Sequence, residues 1–264
     1  MQMKLFKSLW GMEEYSYREA IAKIADAGFS GVEASVPREE HRKEFAQLLQ
    51  EYNLAYIALI STSENHEDSF TANLHAAASL DPILVISHSA RDCMSEERQL
   101  QFFAHAIEEE KQYGIPVGHE THRHRAMFTP WTTARLLQAI PDLKITADFS
   151  HWCCVCESLL EDQQENLQIA FERTIHIHAR VGYAQGPQVP HPGAPEYKRE
   201  LETHEMWWEH IWKARMNRGF AFTTITPEFG PPGYMPTIPF SNEPVSDLWE
   251  VCLSMAERLR SKFA

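Results

Sequence analysis

Long hydrophobic runs are missing from this chain. None approaches the roughly 18 residues needed to cross a bilayer, so no membrane-spanning helix and no membrane partner are expected. Met1 to Met12 hold no signal-peptide apolar stretch either, because Lys4 and Lys7 interrupt them and a strand fits better; a cytoplasmic protein is expected. Basic residues are outnumbered: 24 Lys and Arg stand against 37 Asp and Glu, a formal net charge of −13, with no long Lys/Arg run. Such a surface repels phosphate backbones, which argues against nucleic acid and for a small neutral or modestly anionic partner. Five cysteines supply no disulfide framework. Cys153 and Cys156 have CxxC spacing, but a structural zinc wants a second pair and there is none. They read as small apolar side chains at a strand-to-helix junction. No phosphate-binding glycine loop, internal repeat or second domain is recognisable.

What is present is a regular alternation. Hydrophobic residues make up 44% of the chain and charged residues 23%, ordinary for a globular protein with a core. Strands are expected at about 3–9, at Gly31–Ser35, Tyr56–Ile60 and Ile83–Ser87, and in four later strings; the third and fourth are nearly continuous in apolar residues, as strands buried on both faces are. Helices are expected at about 13–27, 38–52, 95–113 and 245–262, with Gly28 in the position that follows a helix end. Eight strands separated by helices close most naturally as a single (β/α)8 TIM barrel, an α/β domain covering residues 1–264. Strands seven and eight are further apart than the others. A Gly/Pro-rich loop from Gly182 to Pro195 precedes a helix at about 204–218, within an extended connection at about 182–218. Its Trp207, Trp208 and Trp212 could cover a neighbouring subunit as readily as their own barrel, which leaves a homo-oligomer open.

Four of the strand-like strings end on metal-ligand residue types: Val117-Gly118-His119-Glu120, Ile145-Thr146-Ala147-Asp148, Ile175-His176-Ile177-His178 and Thr224-Ile225-Thr226-Pro227-Glu228. A parallel barrel gathers the C-terminal ends of its strands at one mouth, so Glu120, Asp148, His178 and Glu228 would converge on one cation. Three carboxylates and an imidazole suit one divalent ion: Mn²⁺, Mg²⁺ or Co²⁺ first, with Zn²⁺ also admissible. Such an ion chelates the adjacent carbonyl and hydroxyl oxygens of a ketose and stabilises the enediolate left when the α-proton is removed. The alternative is that the four are merely ion-paired strand ends.

The chain resembles the xylose isomerase-like barrel superfamily, which holds sugar epimerases, keto-sugar isomerases, inosose dehydratases and endonuclease IV-type enzymes. The resemblance is carried by Ala20-Ile21-Ala22-Lys23-Ile24-Ala25-Asp26-Ala27-Gly28-Phe29-Ser30-Gly31-Val32-Glu33, and then by Glu120-Thr121-His122, Asp148-Phe149-Ser150-His151, His176-Ile177-His178 and Pro227-Glu228-Phe229. It implies that Glu120, Asp148, His178 and Glu228 are the metal ligands. It further implies that Glu120 and Glu228 also move the proton and that His151 reaches the substrate. The expected activity is metal-dependent isomerisation or epimerisation of a ketose or related polyol. The alternatives are an inosose dehydratase-type lyase, an endonuclease IV-like zinc phosphoesterase and a metal- or sugar-binding barrel without turnover. The phosphoesterase branch fits less well, because it takes a histidine from the third strand. Here Tyr56-Ile57-Ala58-Leu59-Ile60-Ser61-Thr62 has none, although His88 and His191 could supply zinc ligands elsewhere.

Other residues carry two readings each. His122, two positions past Glu120, should face the mouth, as a substrate group or as part of a solvated rim with His119, Arg123, His124 and Arg125. Arg180 shares the parity of His178 and either binds a substrate anion or forms a structural ion pair. Glu33 lies on the second strand, where a buried carboxylate needs a partner; it either touches substrate or supports a ligand from behind. His176 is a similar supporting or core group. Trp10 and Tyr234 either stack on sugar carbons or pack.

Overall fold

The computed structural model describes residues 1–263. Its eight strands are β1 Gln2–Ser8, β2 Gly31–Ser35, β3 Ala55–Ser61, β4 Leu84–His88, β5 Val117–Glu120, β6 Ile145–Ala147, β7 Thr174–His178 and β8 Phe222–Thr226. All neighbours are parallel and follow sequence order. β8 returns to β1, with Leu5 opposite Ile225, so the sheet closes without a free edge. This is the (β/α)8 TIM barrel expected from the alternation. Inside, Phe6, Ile57, Leu84 and Ile86 form a compact plug toward the bottom, leaving the C-terminal mouth to polar side chains. A larger apolar layer joins the barrel's outer face to the helices.

Those helices are α1 Tyr17–Asp26, α2 Glu39–Glu51, α3 His66–Ala78, α4 Glu96–Tyr113, α5 Pro130–Ala139, α6 Ser150–Cys156, α7 Gln164–Arg173, α8 Lys198–Asn217 and α9 Leu248–Phe263. Apolar positions on one face bury each against the barrel, as Val251, Met255 and Leu259 do on α9. Among the described residues no helix is long and apolar enough to cross a membrane.

Two helix starts differ most from the sequence expectation. α1 begins at Tyr17 rather than near 13, because Ser16 caps the Glu19 amide while the Glu19 carboxylate accepts from the Ser16 amide. This capping box satisfies the first turn and leaves Glu13 to Tyr15 as a turn at the mouth. α8 begins about six residues early, at Lys198. On it, Trp207 and Trp208 are fully buried against the chain's own barrel, with Trp207 meeting Phe149 edge-on at 5.9 Å. The 182–195 connection is extended as expected, and the Gln188 side chain both donates to and accepts from the Gly230 backbone (3.1 and 2.7 Å), pinning it to the loop after β8.

Candidate active site

The four ligand candidates meet at the mouth. Glu120 ends β5, His178 ends β7, Asp148 follows β6 by one residue and Glu228 follows β8 by two. One donor atom from each lies within 4.8 Å of the others, and all four side chains are buried. Local hydrogen bonds fix them. The Asp148 amide donates to Thr121 Oγ1 at 2.8 Å, and the Ser150 amide and hydroxyl both donate to Asp148 Oδ1. Glu120 Oε2 lies 2.6 Å from His88 Nε2. His178 points Nε2 at Glu33 Oε2, 3.2 Å away, and Thr226 Oγ1 donates to the same oxygen at 2.7 Å. His176 Nε2 approaches it at 3.3 Å. Glu33 is therefore the support behind His178.

This orientation leaves His178 Nδ1 facing inward, 3.0 Å from Glu228 Oε2 and 3.5 Å from Glu120 Oε1. It is a buried nitrogen with no hydrogen-bond partner. A metal-bound imidazole has this arrangement, its outer nitrogen on a carboxylate and its inner one free for the ion. Charge agrees. Four buried carboxylates, Glu33, Glu120, Asp148 and Glu228, lie around His178, and Arg180 pairs with only two of them, Asp148 and Glu228, so a divalent ion would reduce an excess of negative charge. The donor set fits one divalent cation, and Glu120, Asp148, His178 and Glu228 are the residues that would hold it.

Electrostatics follow from that crowding. Burial pushes the Asp148 carboxyl up to about 6, with Glu120 and Glu228 adding to the push and Arg180 opposing it. Burial also acts against ionised Glu120, yet His88 and His178 hold it well below the usual carboxylate range. Glu33 is likewise held low against its burial by His178 and His176. For His178, burial is outweighed by Glu228, Glu33 and Glu120, which raise it well above an ordinary imidazole. His122 goes the other way, to about 3, chiefly through burial.

Arg180 forms the ion pair that was one of its two readings. Its guanidinium donates to Asp148 and, at 2.7 Å, to Glu228, and stacks 4.8 Å from the Tyr234 ring centroid. Tyr234 in turn meets Trp10 edge-on at 4.9 Å. A cleft of about 670 Å³ opens over these groups, lined by Glu120, Glu228, His88, His122, Arg180 and both aromatics. Asp148 and His178 are not in its wall. Only two of the four donors, Glu120 and Glu228, thus face both the donor cluster and the cleft. His122 faces the mouth as its parity suggested. His151 lies fully buried behind it, the ring centroids 3.8 Å apart, so His151 meets His122 and Arg180 but not the cleft. His119 belongs to the core instead, held by Ser89 (2.6 Å) and Glu110 (3.0 Å) under α4.

Sequence reasoning missed the His88 bond to Glu120 and the Ser150 cap on Asp148. The Asp-x-Ser spacing, which is that of an Asx-type turn, could have signalled the latter. His88, Glu120 and His122 also bring donor atoms within 4.8 Å of one another, whereas His191 joins no such group among the described residues.

No curated protein matches the chain. Solved structures do. The probable 3-DHS dehydratase AsbF from Bacillus anthracis superposes with a TM-score of 0.63 at 15% identity, over 99% of this chain and 100% of that one. A D-tagatose 3-epimerase-like protein gives 0.63 at 16%, over 99% and 100%. An AP endonuclease, family 2, from Brucella melitensis gives 0.61 at 18%, over 88% and 94%. At such identities the likeness is one of fold. The family model described as xylose isomerase-like TIM barrel matches residues 21–214, a span that reaches from α1 through β7 and takes in Glu33, Glu120, Asp148 and His178. The chain is a member of the xylose isomerase-like TIM barrel family.

Proposed function

We propose that this protein is a metal-dependent isomerase or epimerase of a small sugar-like hydroxycarbonyl compound, with Glu120, Asp148, His178 and Glu228 holding one divalent ion. The observation that carries the reading is the double exposure of Glu120 and Glu228. Both belong to the donor cluster and both line the cleft, while the other two donors stay behind. When bound, the ion supplies Lewis-acid polarisation of the substrate carbonyl and lowers the cost of the enediolate. The chain's own residues do the rest. Glu120 and Glu228 come from strands on different sides of the mouth, and each has one carboxylate oxygen engaged, by His88 and Arg180 respectively. The two carboxylates would share the proton at carbon, one taking it and the other returning it. Trp10 and Tyr234 offer faces for the substrate's carbon skeleton. A lyase of the dehydratase type would share this proton abstraction and differ only in expelling a β-hydroxyl.

A second reading rests on the His88, Glu120 and His122 group, which could hold a further ion as in a zinc phosphoesterase. Elemental analysis separates the two. About one Mn, Co, Mg or Zn per chain, lost in Asp148→Ala, supports the isomerase-type site, whereas two or three zinc ions support the phosphoesterase. Solvent deuterium entering a ketose at the α-carbon, abolished by Glu228→Gln while ligand still binds, is the catalytic test. A metal-loaded parent that exchanges no proton with any ketose or inosose offered would refute the proposal.

A further inference from the structure

The cleft is chemically divided along the barrel. Its polar wall comes from the mouth of β4, β5, β7 and β8; its other wall comes from β1 to β3 and the turn into α1. There the surface is mostly apolar, from Leu9, Met12, Ala34, Leu59 and the rings of Tyr15 and Tyr17; of its serines, Ser8 accepts from the Trp10 amide and Ser16 donates to Glu19, leaving Ser35. Hydroxyls of a sugar placed against these groups would lose water and gain few partners, which is costly, whereas methyl or ring carbons would gain.

Nothing in that half would receive a phosphate. Arg180 is the only lysine or arginine in the cleft wall among the described residues, and its charge is already taken by Asp148 and Glu228. The N-terminus of α1 borders the cleft through Ser16 and Tyr17, and helix N-termini commonly bind anions. Here, however, it is filled by its own capping box, and the Glu19 carboxylate occupies the Ser16 amide. Glu13 adds a further negative charge to the wall, accepting from the Gly11 amide at 3.0 Å. The hydroxyl of Tyr15 is engaged by Lys23, 3.1 Å away.

Resting on the isomerase-type reading of the same site, we infer that the substrate is a non-phosphorylated hydroxycarbonyl compound whose end remote from the reacting carbons is hydrocarbon-like, as in a deoxysugar. The polar wall takes the hydroxycarbonyl end. The β1–β3 wall takes the deoxygenated end and rejects a terminal phosphate.

Binding tests this without turnover. Calorimetric titration of the protein with and without Mn²⁺ uses three unreactive polyols: a hexitol, its 6-deoxy counterpart and its 6-phosphate. The 6-deoxy compound should bind tightest, about tenfold or more over the phosphate. In Leu59→Lys, shown folded by circular dichroism, the phosphate should overtake it. A phosphate that binds the parent as well as or better than the deoxy compound overturns the inference, as does a failure of all three to bind. Should that variant not fold, the order in the parent still decides. Preferred binding of the 6-deoxy compound, with no α-proton exchange in the matching 6-deoxyketose, would leave the inference standing and refute the isomerase reading instead.

Discussion

Removing Arg180 should weaken the metal-free protein and strengthen its response to metal. Its guanidinium is fully buried and is the counterion for Asp148 and Glu228, which face Glu120 across the same few ångströms. Arg180→Met keeps much of the side-chain volume against Trp10 and Tyr234 but strips the charge, leaving carboxylates buried without a partner. Breaking a buried pair this way costs about 3–5 kcal/mol, which for a chain of this size is roughly 10 °C in Tm. A divalent ion on the four donors would restore positive charge at the same place. The variant should therefore recover part of its loss on adding saturating Mn²⁺, and its metal-induced rise in Tm should exceed that of the parent. Thermal unfolding by circular dichroism, in chelator and in Mn²⁺, reads both numbers. Equal metal-induced shifts in the two proteins would show that Arg180 and the ion do not share the carboxylates, and the electrostatic account of the site would be wrong.

Three other outcomes are expected. Acid should destabilise the fold through buried neutral histidines. His204 is held at about 4 by burial, while the unfolded chain titrates near about 6.5. Between those values the unfolded chain binds more protons, so stability falls as pH drops through the window, by about 3 kcal/mol from His204 alone. Urea unfolding at several pH values should show this, and a His204→Gln variant with the same pH slope would contradict it. Glu33→Gln should lower Mn²⁺ affinity about 10- to 100-fold while leaving the protein folded, since it removes the acceptor that orients His178; an unchanged affinity by competition titration would count against that role. In Gly230→Ala the new Cβ would fall 2.1 Å from the Trp10 ring, so the ring must leave its place beside Tyr234. Polyol binding should weaken with little change in metal content, and a variant that binds polyols as the parent does would show that Trp10 is only packing.

The barrel and its four converging donors were legible because both depend on periodic features. Continuous apolar strings mark strands buried on two faces, and a ligand at the end of each later strand places it at the mouth. Side-chain parity also placed His122 at the cleft. It could not choose between the two readings of Arg180, because the choice depends on carboxylates 32 and 48 residues away. His119 was misread as rim because one residue's shift along a strand turns a side chain from mouth to helix layer, and its partner Glu110 lies on the preceding helix. The apolar wall of the cleft was hidden for a similar reason. Tyr15 looked like part of the start of a helix, and only the capping box at Ser16 and Glu19 releases it to the mouth.

The bond from Glu33 to His178 crosses the barrel from its second strand to its seventh, joining residues 145 positions apart. All four candidate ligands lie on β5 or later, yet the group that aims the imidazole lies on β2. A fragment beginning before β5 would carry every ligand and still lack the means to orient one of them. Tight metal binding at this site would thereby be a late event in folding, available only after the ring of strands is complete, and an ion that bound the finished site would favour the closed barrel over half-assembled forms.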